Sequence, residues 1–224
     1  MTEGLELDHL TITLDGRRLV DLHETVAPGE VLSVMGPSGS GKSTLLSVLI
    51  GRPDPGFDVG GRVRLEGRDL SGLGPEARRI GLLFQDDLLF PHLSVGENLA
   101  FALPASVKGR AARAARIAAA LEAAELSGFA GRDPATLSGG QRARVALMRC
   151  LLSAPRALLL DEPFSRLDAD LRRQMREFVF GRVRAEGIPA ILVTHDLEDA
   201  LAAGGKVISP LGEVRQAGGA CLMS

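Results

Sequence analysis

Apolar and polar positions change rhythm twice along this chain, and the changes mark out three stretches. In the first, Leu5–Leu14 alternates apolar with polar residues, the period-two pattern of a strand with one buried face, and Asp15-Gly16 predicts the turn that ends it. Pro28-Gly29 predicts a second turn. Val31–Met35 and Ile80–Phe84 are short apolar runs without alternation, which reads as strands buried on both faces. Between them, Thr44–Ile50 predicts a helix closed by Gly51 and Pro53. Arg62–Glu66 predicts a further strand, followed by a Gly-rich loop to Gly74-Pro75. From Asp86 to Leu152 helical patterns take over. Ala111–Leu126 is almost wholly Ala, Leu, Arg and Glu, a strong helix composition, with Arg110, Arg113 and Arg116 on one solvated face. Gln141–Ser153 predicts a second helix, stopped by Pro155. Strand-like runs return at Ala157–Leu160 and Ala190–Val193, with a helix around Leu171–Ala185 between them. A short strand is expected from Val207, then a loose Gly-rich end at Gly218-Gly219.

The pattern predicts one α/β core, residues 1–85 and 153–224, with a helical insertion at 86–152. Strands without alternation favour a parallel sheet covered on both faces. At 224 residues this is a single domain with room for a sizeable core. The net charge of −2 gives no electrostatic pull toward nucleic acid or anionic lipid. Cys150 and Cys221 lie far apart, match no metal spacing and read as free thiols. The first residues carry no basic-then-apolar leader, and no apolar run approaches the roughly 20 residues that span a bilayer. Work at a membrane would therefore need a span supplied by another chain.

The candidate chemistry is concentrated in five places. Gly36, Pro37, Ser38, Gly39, Ser40, Gly41, Lys42, Ser43 and Thr44 form the phosphate-loop pattern, placed between a predicted strand and a predicted helix. Its glycines let successive N–H groups turn inward on an anion, and the helix adds its positive end. Lys42 would reach the β- and γ-phosphates, and Ser43 would offer its hydroxyl to Mg2+. Asp161 and Glu162 leave the apolar strand Leu158–Leu160, at the strand end where ligands bind in such sheets. Asp161 would hold Mg2+, and Glu162 would act as the base or polarise the attacking water. Gln85 ends another buried strand, where its amide could ligate Mg2+ and sense the γ-phosphate. Ser138, Gly139, Gly140 and Gln141 open a long helix; Ser138 reads as a cap, and the glycines expose N–H groups suited to a γ-phosphate. His195 follows the strand Ile191–Thr194 and could hydrogen-bond a γ-phosphate, whereas His9, His23 and His92 have no such context.

Taken in order, GPSGSGKST, Gln85, LSGGQ, LLLDEP, Ser165–Asp168 and His195 resemble the nucleotide-binding subunits of ATP-binding cassette (ABC) transporters over essentially the whole chain. The resemblance implies a single P-loop NTPase domain: a mixed, mainly parallel sheet with an N-terminal antiparallel β part and an inserted α-helical subdomain. It implies ATP and Mg2+ as cofactors, with Ser43, Gln85 and Asp161 on the metal. Two copies would pack head to tail on ATP binding, each ATP lying between Gly36–Thr44 of one copy and Ser138–Gln141 of the other. Glu162 would be the catalytic carboxylate, His195 the γ-phosphate switch residue and Asp168 the aspartate that crosses the dimer interface. Gln85 would begin the lever that feels a membrane partner.

Phe84–Phe101 looks like the importer branch, with Leu88, Leu89, Phe90, Pro91 and Leu93 lining a groove for a permease helix. The partners implied are a multi-span permease and an extracytoplasmic solute-binding protein, not nucleic acid. The place implied is cytoplasmic, peripheral on the inner face of the cell membrane. The short stretch after the ATPase core, with DEPFSRLD and SGGQRARVAL, is similar to compact thiamine-type importer ATPases and to the YnjD-like group. A soluble ABC ATPase with no permease, or an exporter-type one, is the alternative. Two positions depart from the family. No aromatic residue precedes Phe57, so adenine would pack on Leu14 or a neighbour, and Arg166 stands where a small residue or Lys is common.

Overall fold

A computed structural model describes residues 4–214; the expected Gly218-Gly219 end lies outside the described residues. Strand β1 (Leu5–Leu14) turns back through Asp15 and Gly16, both left-handed (φ 50° and 77°), into β2 (Arg17–Val26). Two consecutive left-handed residues are what a tight two-residue hairpin needs to match strand twist. The sequence pattern did not mark β2, because RRLVDLHETV is mostly polar; its inward set is Val20, Leu22 and Val26. β3 (Val31–Met35) leads into α1 (Lys42–Ile50). β4 (Asp58–Leu65) pairs antiparallel with β1, and β5 (Arg68–Asp69) completes a sheet ordered β2-β1-β4-β5.

After the short α2 (Pro75–Arg78) comes a second sheet, built from β3, β6 (Ile80–Leu83), β7 (Ala157–Asp161), β8 (Ala190–Thr194) and β9 (Val207–Ile208). Its order is β6-β7-β8-β3-β9, with β3, β7, β8 and β9 pairing in parallel. All five residues of β3 and of β8 are buried, which explains their unbroken apolar runs. Leu10, Ile12 and Val20 of the hairpin share one core with Val34, Leu45, Leu49, Leu159 and Ile191.

The chain forms two compact units. The α/β unit comprises 1–82, 156–162 and residues from 176 onward; the helical unit comprises 83–155 and 163–175. Residues 163–175, which follow Glu162 and begin a long helix, thus group with the helical unit. That unit packs α3 (Val95–Ala102), α4 (Arg110–Ala123) and α5 (Gly139–Leu152) on one another. Arg113 is not wholly solvated as expected: its guanidinium donates to Ala100 O at 2.6 Å and ties α4 to α3. α6 (Ala169–Glu186) starts in the helical unit and ends in the α/β unit, where α7 (Leu197–Ala203) packs on β3 and β8. No helix among the described residues is long and apolar enough to cross a membrane.

Candidate active site

The strand order decides which residues meet. β8 lies between β3 and β7, and all three run parallel, so their C-terminal ends open on one edge of the sheet. That edge carries the Gly36–Thr44 loop after β3, Asp161 and Glu162 after β7, and His195 after β8.

The loop is tightly curled. Gly39 and Gly41 are left-handed, and a Cβ on Gly36 would sit 2.5 Å from Ser40 Oγ. Lys42 is buried, and its Nζ donates to Gly36 O and Pro37 O, each at 2.8 Å. The ammonium thus holds the curl closed across its own backbone. Ser40 Oγ is buried without a hydrogen-bond partner among the described residues. α1 begins on Gly41 with no side-chain cap and no acid in its first turn, so its N–H groups face no competing carboxylate. A curl with an unsatisfied hydroxyl, a fixed cation and an uncapped helix start fits a polyphosphate. Ser43 stands exposed on the first turn of α1.

Asp161 ends β7 half-buried. Burial pushes its carboxyl above the usual range, Glu162 beside it pushes the same way, and Lys42 opposes both. A carboxylate held at that cost is suited to a cation. Glu162 adopts a left-handed backbone (φ 44°) while its N–H donates to Val193 O at 2.9 Å. That turn aims its carboxylate at His195, whose Nδ1 lies 3.1 Å from Glu162 Oε1. The imidazole is mostly exposed, so it can meet a ligand as well as the acid.

His195 is held by its motif neighbours Thr194 and Asp196 and, behind them, by Asp199 and Arg176, which the motif reading did not single out. Asp196 caps α7 by accepting from Glu198 N at 2.8 Å, and Asp196 N donates to Thr194 Oγ1 at 3.0 Å. Thr194 donates to buried Asp199, which also accepts from Arg176 Nε at 2.6 Å. The acid at α7 and the base on α6 are 23 residues apart, and no spacing rule links them.

In the helical unit, Ser138 caps α5 in a reciprocal box: Gln141 N donates to Ser138 Oγ at 3.3 Å and Ser138 N to Gln141 Oε1 at 3.0 Å. Gly140 is buried, and a Cβ there would run into Leu171. A Cβ on Gly139 would meet only the Arg142 guanidinium, at an ordinary 3.9 Å, so of the two glycines it is Gly139 that has room to spare. Asp168 accepts from Leu171 N at 3.0 Å and thereby starts α6. Arg172 steadies the preceding segment by donating to Phe164 O at 3.1 Å. Gln85 is exposed two residues past β6 and belongs to the helical unit. Leu14 is half-buried at the end of β1, paired with Arg17.

The segment after Gln85 is pinned from two sides. Buried Asn98 accepts from Phe90 N at 2.8 Å and donates to the carbonyls of Phe90, Leu93 and Ser94. Arg149 donates to Leu88 O at 2.8 Å. Arg166, which sequence reading left without a role, pairs with Asp86. These contacts hold Leu88 and Phe101 in solvent, while Phe90 packs edge-on against Phe101 with ring centroids 4.9 Å apart. Leu88, Leu89 and Pro91 line a cavity of about 480 Å³ with Arg142 and Arg166.

A family profile described as "ABC transporter" matches residues 19–165. The "Uncharacterized ABC transporter ATP-binding protein YnjD" of Escherichia coli (strain K12) is 53% identical over 185 residues, 83% of this chain and 85% of the relative. The "Spermidine/putrescine import ATP-binding protein PotA" of Methylococcus capsulatus is 45% identical over 201 residues, 89% of this chain. The "Putrescine transport ATP-binding protein PotG" of Escherichia coli (strain K12) is 41% identical over 208 residues, 92% of this chain. The chain spans about half the length of these last two, 51% and 54%. With a profile match over more than half its length and relatives aligned over most of it, the chain belongs to the ABC transporter family, as an ATP-binding, ATP-hydrolysing subunit.

Proposed function

We propose that this subunit couples ATP hydrolysis to import of a small solute through a separate permease. The observation that carries the chemistry is the Glu162–His195 pair, set at the same sheet edge as the Lys42 loop. Lys42 exchanges its bonds to Gly36 O and Pro37 O for phosphate oxygens. Glu162 takes the proton of the attacking water, and His195 donates to the γ-phosphate. Ser43 and Asp161 would hold Mg2+, with Gln85 assigned to the same ion by the resemblance; the ion would neutralise phosphate charge. Leu14 offers adenine an aliphatic platform in place of an aromatic one.

Two copies close head to tail on ATP, with Ser138, Gly139 and Gln141 of one facing the γ-phosphate held by the other, and Asp168 crossing between them. Closure moves the Leu88–Phe101 surface, on which the permease rests at the cytoplasmic face. Import is favoured over export by that exposed apolar segment and by likeness to proteins named as import ATPases. A solute-binding protein outside the membrane completes the set.

Capture of the tagged subunit from native membranes in mild detergent tests this reading. A multi-span permease arriving with a solute-binding protein supports import. A permease without one points to export. Ribosomes, DNA or nothing removes transport from the proposal and leaves the ATPase standing.

A further inference from the structure

Two of the three histidines that the motifs leave without context lie side by side on the antiparallel sheet. β1 loses register with β2 between Leu7 and Leu10, and with β4 between Asp8 and Thr11. The resulting bulge puts His9 in a left-handed backbone (φ 50°), a conformation that is costly for a non-glycine residue. Gly61 on β4 makes room for it, since a Cβ there would collide with His9 O. The bulge cancels the usual alternation and brings neighbouring side chains together. His9 Nδ1 lies 3.0 Å from Asp8 Oδ1, and His23 Nδ1, from β2, lies 3.9 Å from the same oxygen. The imidazole centroids are 4.2 Å apart. Among the described residues, this is the one group of three such side chains with ligand atoms all within 4.8 Å of one another.

We propose that Asp8, His9 and His23 form a binding site for a divalent transition-metal ion, bridging β1 and β2 outside the nucleotide site. A tetrahedral ion with bonds of about 2.0–2.1 Å sets its ligands about 3.3 Å apart, between the two separations seen here. Arg64 binds the other face of the acid, its Nη1 3.4 Å from Asp8 Oδ2 and 3.2 Å from Glu6 Oε1. That leaves Asp8 Oδ1 toward the rings and fixes the carboxylate's orientation, as outer partners of metal ligands do. Arg64, and Arg62 in register with Asp8, also repel a cation and so weaken its binding. Both rings are exposed, and water completes the coordination. Two imidazoles select Zn2+, Co2+, Ni2+ or Cu2+ over Mg2+ and Ca2+.

The ion ties two strands of the folded sheet and so stabilises only the folded state. The test is calorimetric titration of the untagged, nucleotide-free full chain with Zn2+ and with Co2+ at neutral pH, paired with thermal unfolding. The wild type takes up one ion saturably below about 1 mM and unfolds at higher temperature with Zn2+ but not with Mg2+. The His9→Asn/His23→Gln double variant, in which Asn tolerates the left-handed position, loses the site. His23→Gln alone, on unstrained strand, weakens binding at least about tenfold. Wild type without saturable binding below 1 mM, or a double variant that binds as wild type does, overturns the site.

Discussion

Glu162 and His195 meet on one short contact, and the proposed chemistry depends on keeping both. Nδ1 of the mostly exposed ring faces Glu162 Oε1 at 3.1 Å, and in the proposed mechanism the ring's other nitrogen meets phosphate. Glu162→Gln keeps the shape and removes the base, so ATP binding persists while turnover falls at least about 100-fold in a phosphate-release assay. Asp161 tells a different story. Its carboxyl is raised by burial and by Glu162, against Lys42. A carboxylate whose folded value is raised favours folding in its protonated form. That contribution is complete below the ordinary carboxylate range and is lost as pH rises through the raised value. Asp161→Asn therefore unfolds at higher temperature than the wild type near pH 7 without nucleotide, the gap closing toward pH 4, while ATPase activity drops about 100-fold. If adenine packs at Leu14 as proposed, Leu14→Tyr supplies a stacking ring worth about 1 kcal/mol and is expected to tighten ATP about fivefold in equilibrium binding. That the Lys42 loop, Asp161, Glu162 and His195 gather at one sheet edge was legible because such motifs keep their residue types at short spacings at strand ends. Arg176, Asp199 and Asn98 were not, because their partners are set by folding rather than by sequence distance.

Elements were legible where burial is two-sided or composition is strongly helical. The runs of β3, β7 and β8 and the Ala-rich α4 follow from sequence alone. β2 did not, since only three of its ten residues form a buried apolar set. α5 shows how one element serves two ends. Its glycine pair looks like a single device for exposing N–H groups, yet Gly140 is small because Leu171 fills the space a Cβ would need. Gly140→Ala is expected to destabilise the protein by about 1–3 kcal/mol in denaturant titration through overpacking, and adding Leu171→Ala recovers part of the loss. Gly139→Ala, which meets only the Arg142 guanidinium at an ordinary 3.9 Å, is expected to leave stability nearly unchanged and to lower ATPase turnover instead. Asn98 is the equivalent anchor for the Phe90–Ser94 turn. Asn98→Ala removes the side-chain hydrogen bonds that tie the turn to α3, costs about 2 kcal/mol and increases hydrogen exchange across that turn.

For the whole molecule, the proposed working form is a pair of copies sharing two nucleotides. Glu162→Gln with excess ATP is expected to run as a dimer in size-exclusion chromatography, and a monomer under those conditions would sink the shared site. On this proposal the α/β unit, which carries the Lys42 loop, binds phosphate, and the helical unit, which carries exposed Phe84, Leu88 and Phe101, meets the permease. The left-handed backbone at Glu162 has a bearing on evolution. Glycine adopts that conformation freely, so Glu162→Gly relieves strain of about 1 kcal/mol while abolishing the chemistry. A population selected for heat resistance alone would drift toward that substitution, and only continued demand for turnover would keep the acid in place.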